Sequence, residues 1–235
     1  MILDLGLSIL KGFLLSGTVY YLGIYLDNTI SATYKQELLK EDSALVEEGY
    51  RTTKINLLYI SPVVYGIVDQ TILKSEFSFS ILHFLGLLLV QNIGYFWVHR
   101  EMHQNNRWRW MHKFHHRFNK ITLPSTGNAV SPYEFCIAYI TPIVSAGIIF
   151  RPTEITFSSA IAVISLLNIC IHIPNLKHTP WMPGFISPNY HSIHHLKNEK
   201  HYAAPLLDID SFTDRVQSWV FLSDSDSSEK EVQFE

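Results

Sequence analysis

Residues 77–120 read FSFSILHFLGLLLVQNIGYFWVHREMHQNNRWRWMHKFHHRFNK, and the change of character after Val98 decides the fold. Up to Val98 the segment is an apolar run, about the 20 residues that cross a hydrocarbon layer as a helix. From His99 it turns basic, with Arg100, Arg107, Arg109, Lys113, Arg117 and Lys120 against one acid, Glu101. Positive charge flanking an apolar span marks the cytosolic side of a membrane. The same basic stretch holds five of the chain's 12 histidines.

Four further apolar runs lie at 5–26, 55–73, 133–150 and 155–172. Several carry polar interruptions: Pro62 and Asp69, then His83, Gln91 and Asn92, then Glu134 and Pro142. Such residues suit helices packed on one another better than helices facing lipid all round. The start of the chain lacks a basic segment followed by a small-residue cleavage site, so 5–26 is expected to be a retained membrane helix. The expected fold is all-α: an integral membrane bundle of about four or five spanning or re-entrant helices with a cytosolic helical cap. Residues 1–76 would form N-terminal membrane helices and their polar connection at 27–54, and 77–222 the catalytic domain. Residues 223–235, SDSDSSEKEVQFE, read as an acidic disordered tail.

Composition agrees. Apolar residues make up 47% of the 235 against 17% charged, a high ratio for a water-soluble chain. The net charge of −3 offers no cationic surplus for phosphates, which argues against nucleic acid as a partner. Cys136 and Cys170 both lie in apolar runs and are expected as buried small hydrophobes, with no disulfide or CxxC metal site.

The histidines carry the chemistry. His99 and His103 are spaced i, i+4, which sets both rings on one helix face. His112, His115 and His116 repeat that spacing, and so do His191, His194 and His195. The link Arg151-Pro-Thr-Glu154 between two apolar runs makes a hairpin, so the segment after Ile173 returns to the cytosolic side with the first two groups. Eight imidazoles exceed the four ligands of zinc and the six of octahedral iron, so two metals are expected. Ligand type alone does not name the metal, since imidazole suits iron and zinc alike.

Other motifs fail. HExxH needs Glu directly after the first His, where this chain has Arg100. No Glu has His three residues later, as ferritin-like bundles require. Phosphate loops and the GxSxG elbow are absent from the sequence.

At these residues the chain resembles the fatty acid hydroxylase superfamily, which includes sterol desaturases and sterol methyl oxidases. Its HX3H, HX2HH and HX2HH boxes are matched by His99/His103, His112/His115/His116 and His191/His194/His195. Tyr95-Phe-Trp-Val-His-Arg100 resembles the approach to the first box, and Ser187-Pro188 the start of the last. Ile171-His172 with Asn175 is similar to an additional His-and-Asn element, which makes His172 a candidate ninth ligand or a partner of one. Pro132 and Glu134 are similar to a His-Pro-x-Glu element, with Ser131 in place of His. Asp214-Arg215 resemble a closing Trp-Asp-Arg, with Thr213 before them. His201-Tyr202-Ala203 stands near an expected Asn-Tyr-Gly.

The resemblance implies an O2-dependent oxidoreductase with two irons (zinc being possible after purification) that hydroxylates or desaturates a membrane lipid, sterol or fatty-acyl. All eight box histidines would be metal ligands and catalytic residues. The lipid would enter along a cleft between helices, and electrons would come from a docked donor such as cytochrome b5 with its reductase, attracted by Arg107, Arg109 and Arg117. The endoplasmic reticulum membrane is expected, or the inner membrane if the source is bacterial, with the site facing the cytosol. Two other readings remain: a non-catalytic metal-binding membrane protein, and a zinc-loaded hydrolytic relative. Among the remaining residues, Glu101 and Glu134 are candidate acceptors for ligand rings. His178 is open between a site and a loop role, His201 and His83 read as structural, and Trp97, Trp108, Trp110 and Trp181 suit an interfacial belt.

Overall fold

The computed structural model describes residues 2–198 and 201–213, and its regular structure there is helical, with no strand. Helix α1 (Ile2–Asn28) is followed by α2 (Ala32–Glu41) and α3 (Ser43–Ile55). A π-helical segment, Asn56–Ile60, carries α3 without a break into α4 (Ser61–Thr71). Next come α5 (Ile81–Gln104) and the single turn α6 (Arg109–His112). Helix α7 (Pro132–Glu134) passes through a second π segment, Phe135–Ile140, into α8 (Thr141–Phe150). Helices α9 (Glu154–Ile171) and α10 (Pro188–Lys197) complete the set.

Four helices are long and apolar enough to cross a membrane: Leu3–Asn28, Ile81–Gln104, Pro132–Phe150 and Glu154–Ile171. The run 55–73 falls short of that description because it carries Asn56, Asp69 and Gln70 and its helix ends at Thr71. Its outward face is still apolar, with Tyr59, Val63 and Ile67 exposed at successive i+4 positions. Leu14, Tyr21, Leu82, Ile148 and Ile149 are exposed on the other helices, more bare apolar surface than water tolerates on a folded domain.

Contacts at the two ends give the directions. Ser8 of α1 donates to Asp69 at 2.5 Å, while Asp27 at the other end of α1 accepts from the Ser125 backbone N–H at 3.0 Å. Ser80, which caps α5 by accepting from His83 N at 3.3 Å, has its own N–H bonded to Thr156 in the first turn of α9. So α1, α5 and α9 run one way, and α4 and α8 run back. The C-terminal ends of α5 and α9 therefore share one end of the bundle with the start of α7. Both histidine-bearing regions meet there, as the hairpin at 151–154 requires.

Polar interruptions are paired inside the bundle. Lys11 meets Glu154 at 2.7 Å and Asp69 at 3.6 Å, and Asn56 donates to the Asn128 and Val130 carbonyls, each at 3.0 Å. Both π segments sit just before a proline, Pro62 or Pro142. Proline has no N–H for the i−4 carbonyl and its ring crowds that carbonyl, so the helix widens by one residue instead of kinking. The polar stretch 27–54 becomes α2 and α3, which lay Leu38, Leu45 and Val46 on Phe118, Ile121 and Leu123 to build a cap over the histidine end.

Three expectations change. Cys136 is exposed on the outer face of the bundle and Cys170 is only half-buried, because both point outward from helices whose surroundings are apolar anyway. Trp181 packs on the core beside Met102 and Ile186, so it is no belt residue, whereas Trp97, Trp108 and Trp110 are exposed at the histidine end. The acidic tail at 223–235 and Asp214-Arg215 lie outside the described residues.

Candidate metal centre

The last histidine group stands on a helix whose start is set by a local side chain. Ser187 accepts from Tyr190 N at 3.1 Å, and Pro188 follows in the first turn where its missing N–H costs nothing, so α10 begins where His191, His194 and His195 share one face. His99 and His103 occupy the last turns of α5. His112 ends α6, and the 3-10 turn His115–Arg117 folds the next two rings back toward it.

Nine histidines converge in two adjoining groups. His99, His103, His112, His116 and His194 form one, and His115, His172, His191 and His195 the other, with the ring nitrogens of each group within 4.8 Å of one another. All eight box residues are brought together, and His172 joins them from the end of α9. Seven of the nine are buried, leaving only His103 and His116 half-exposed. Among the rings that join the two groups, His112 and His115 lie 5.3 Å apart, and His116 and His195 lie 4.9 Å apart.

Hydrogen bonds decide which nitrogen faces inward. His99 Nδ1 lies 2.6 Å from the Tyr202 carbonyl, and His112 Nδ1 lies 2.6 Å from Glu134 Oε1. The carbonyl can only accept, and Glu134 accepts as a carboxylate, so with Glu134 ionised both Nδ1 atoms carry the proton and both Nε2 atoms present lone pairs. Those two lone pairs face each other at 2.9 Å. Two acceptors at that distance repel unless a cation lies between them. His172 is arranged similarly, donating from Nδ1 to the Asn168 carbonyl at 2.7 Å while its Nε2 sits 2.9 Å from His191 Nε2.

The spacing fits a coordination shell. For a metal–nitrogen bond of about 2.1 Å, neighbouring ligand atoms are about 3.0 Å apart at 90° and about 3.4 Å apart at the tetrahedral angle. The Nε2 contacts here are 2.9, 3.3, 2.9 and 3.1 Å. The residues present fit two ions. A ligand imidazole normally gives its other N–H to a carboxylate or carbonyl, as His99, His112 and His172 do.

Several supporting residues escape a motif search. Tyr202 acts through its carbonyl, and Asp210 anchors the neighbouring Ala203 N–H at 2.7 Å. The only sequence signal was the departure His201-Tyr202-Ala203. Ser131 caps α7 by accepting from Glu134 N at 3.1 Å and so aims the carboxylate. Gly127 is packed so closely that a Cβ would lie 2.9 Å from His172 Nδ1. Of the two candidate acids, Glu134 is at the centre and fully buried, whereas Glu101 is exposed. Asn175 is exposed with its Oδ1 3.3 Å from Ser31, so Asn168 supports His172 in its place. His178 is exposed, His201 stacks on Tyr190 at 4.7 Å, and His83 packs against Phe150 at the opposite end of α5.

The basic patch is partly committed. Arg117 pairs with Glu48 at 2.9 Å, Lys120 pairs with Glu41, and Arg109 donates to the His103 carbonyl at 3.1 Å. Arg107 is exposed, with no acidic partner among the described residues.

Burial favours neutral rings. It pushes His116 and His172 down to about 4, and His112, His115, His191 and His195 also fall, first through burial and then through their neighbours' charge. Between pH 6.5 and about 4 the unfolded chain binds protons that the folded centre refuses, so stability is present above that window and is lost as pH falls. For His172 alone the loss is on the order of 3 kcal/mol. Melting of the metal-stripped protein in detergent should therefore drop steeply from pH 7 to pH 5. An unchanged melting temperature would contradict this account.

The family model described as fatty acid hydroxylase matches residues 84–216, a span that holds all nine histidines. No curated protein and no solved structure matches the chain.

Proposed function

Because the chain belongs to the fatty acid hydroxylase family, we propose that it is an O2-dependent oxidoreductase that hydroxylates or desaturates a C–H bond of a sterol or fatty-acyl membrane lipid. The four apolar helices and the family make it an integral membrane protein of oxygenase type with clustered metal-binding histidines. The finer reading rests on one observation, the lone pairs of His99 and His112 facing each other at 2.9 Å.

In this reading His99, His103, His112, His116 and His194 hold one iron, and His115, His172, His191 and His195 hold the other. A pair of ferrous ions supplies the electrons and the binding point that let dioxygen take hydrogen from an unactivated carbon. The chain does the rest. Glu134 and the Tyr202 and Asn168 carbonyls lock three rings by their Nδ1 protons. Met102, Ile186 and Ala203, all at 0% exposure, keep water from the far side of the cluster. His103 and His116 are the half-exposed rings, so the lipid's reactive carbon approaches on their side.

In the same reading this end faces the cytosol, of an endoplasmic reticulum membrane or a bacterial inner membrane, and the basic residues there support that orientation. Electrons then arrive from a docked acidic donor of the cytochrome b5 kind, for which Arg107 is the available contact. Arg107→Glu is expected to slow reduction by such a donor roughly tenfold at low salt and to flatten the salt dependence. Unchanged stopped-flow reduction rates would remove the docking surface.

The deciding measurement combines metal content, oxygen uptake and lipid mass spectrometry on purified protein. Two irons per chain, with oxygen consumed in step with a hydroxylated or unsaturated lipid, is the expected result. Zinc-dependent hydrolysis without oxygen uptake would defeat the proposal.

A further inference from the structure

Away from the histidines, a mainly apolar cavity of about 110 Å³ lies among the bundle helices. Its wall is made by Leu15 and Val19 of α1, Val68 of α4, Ile143 of α8, and Phe157 and Ile164 of α9. Both π segments contribute, through Leu57 on one side and Phe135, Tyr139 and Ile140 on the other. Two of the polar groups lining it are already engaged, the Ser16 and Tyr139 hydroxyls donating to the Gly12 and Gly127 carbonyls.

The cavity touches the surroundings of both histidine groups. Tyr139 packs edge-on against Tyr95 at 5.3 Å, and Tyr95 lies 5.0 Å from the His99 ring. Asn128 lines the cavity, and the next residue back, Gly127, lies against His172 Nδ1 with no side chain between. On the outer side, Val64, Val68, Ile140 and Val144 line both the cavity and an apolar groove on the bundle surface between α4 and α8. A small apolar molecule dissolved in the bilayer thus meets one thin valine-rich wall on its way in.

Size chooses the guest. An apolar protein cavity of about 150 Å³ holds a single benzene or a xenon atom and stays dry. At about 110 Å³ this one is too small for a sterol ring system or a long acyl chain, and right for a diatomic gas. We infer that the cavity is the staging site through which dioxygen passes from the bilayer to the metal centre. The inference rests on the oxygen-dependent reading above. It also separates the routes of the two substrates, with the lipid presented at His103 and His116 and the gas delivered through the bundle.

Xenon serves as the probe. In xenon-pressurised crystals of the purified protein one site should fill among Val19, Ile143, Phe157 and Ile164, whether or not the protein oxidises lipid. In steady-state assays Val64→Phe and Val144→Phe, made separately so that misfolding of one leaves the other to decide, should raise the KM for oxygen roughly fivefold or more. The KM for lipid, and kcat at saturating oxygen, should stay unchanged. An empty or water-filled cavity under xenon would overturn the inference. So would an unchanged oxygen KM in folded variants, or a rise in the lipid KM in its place. Failure of the parent reading is distinct: the unmodified protein would then consume no oxygen with any lipid, before a variant is made.

Discussion

Replacing His112 with alanine is expected to lower bound iron from about two to about one per chain and to abolish lipid oxidation, because the ring is a member of the five-histidine group and has no substitute. The ring is 2% exposed, its Nε2 opposes that of His99, and its Nδ1 occupies Glu134. Its removal therefore takes away one coordinating atom and strips a carboxylate buried away from bulk solvent of its partner. Loss of product should be complete, whereas loss of metal should be partial, since the second group keeps its own four rings. His194→Ala is expected to act alike, because the same group then loses its ring from α10. His83→Ala is the matching control: it removes a half-buried ring that packs on Phe150 at the other end of the same helix, and should leave metal and product intact. Iron quantified by mass spectrometry beside product formation reads all three. Full metal and activity in His112→Ala would remove that residue from the centre.

The second large effect belongs to Glu134. This carboxylate is 0% exposed and, among the described residues, has a single ion-pair partner, the His112 ring at 2.6 Å. A buried carboxylate is costly to maintain unless a positive charge stands near it, and in the proposed centre an ion held through His112 would be that charge. Glu134→Ala leaves the Nδ1–H without an acceptor and the ring free to turn, so iron retention against a chelator should fall roughly 10–100-fold. Glu134→Gln keeps an acceptor oxygen in place and should recover most of the affinity, though not the electrostatic support. A residue that merely filled space would not distinguish the two variants. Equal retention of iron by Ala and Gln would show that the hydrogen bond has no part in holding the ring.

Much of this was legible along the chain. An i, i+4 pair of histidines already shares a helix face before any tertiary contact exists, because 3.6 residues make a turn. Runs of apolar residues long enough for a bilayer, and the four-residue link between two of them, put the histidine groups on one side by counting alone. His172 was reachable by the same counting, since it closes a run that returns to that side. The support for the rings was less visible. Tyr202 and Asn168 act through backbone carbonyls, which every residue type carries, so no side-chain pattern announces them. Glu134 and Glu101 were indistinguishable as letters, and only packing buried the one and exposed the other. Cys136 misled for a related reason: in a membrane bundle an apolar run faces outward as readily as inward, so hydropathy no longer reports burial.

By itself, then, the order of residues determined the apolar helices, the gathering of the histidines at one end of the bundle, and the chemistry of their donor atoms. These follow from periodicity, length and side-chain type, all local quantities. Tertiary structure alone decided how nine rings divide into five and four, which nitrogen of each fixed ring faces inward, and where the bundle stays open. Those outcomes depend on distances between segments far apart in the chain, and on carbonyls and voids that exist only once the helices have packed.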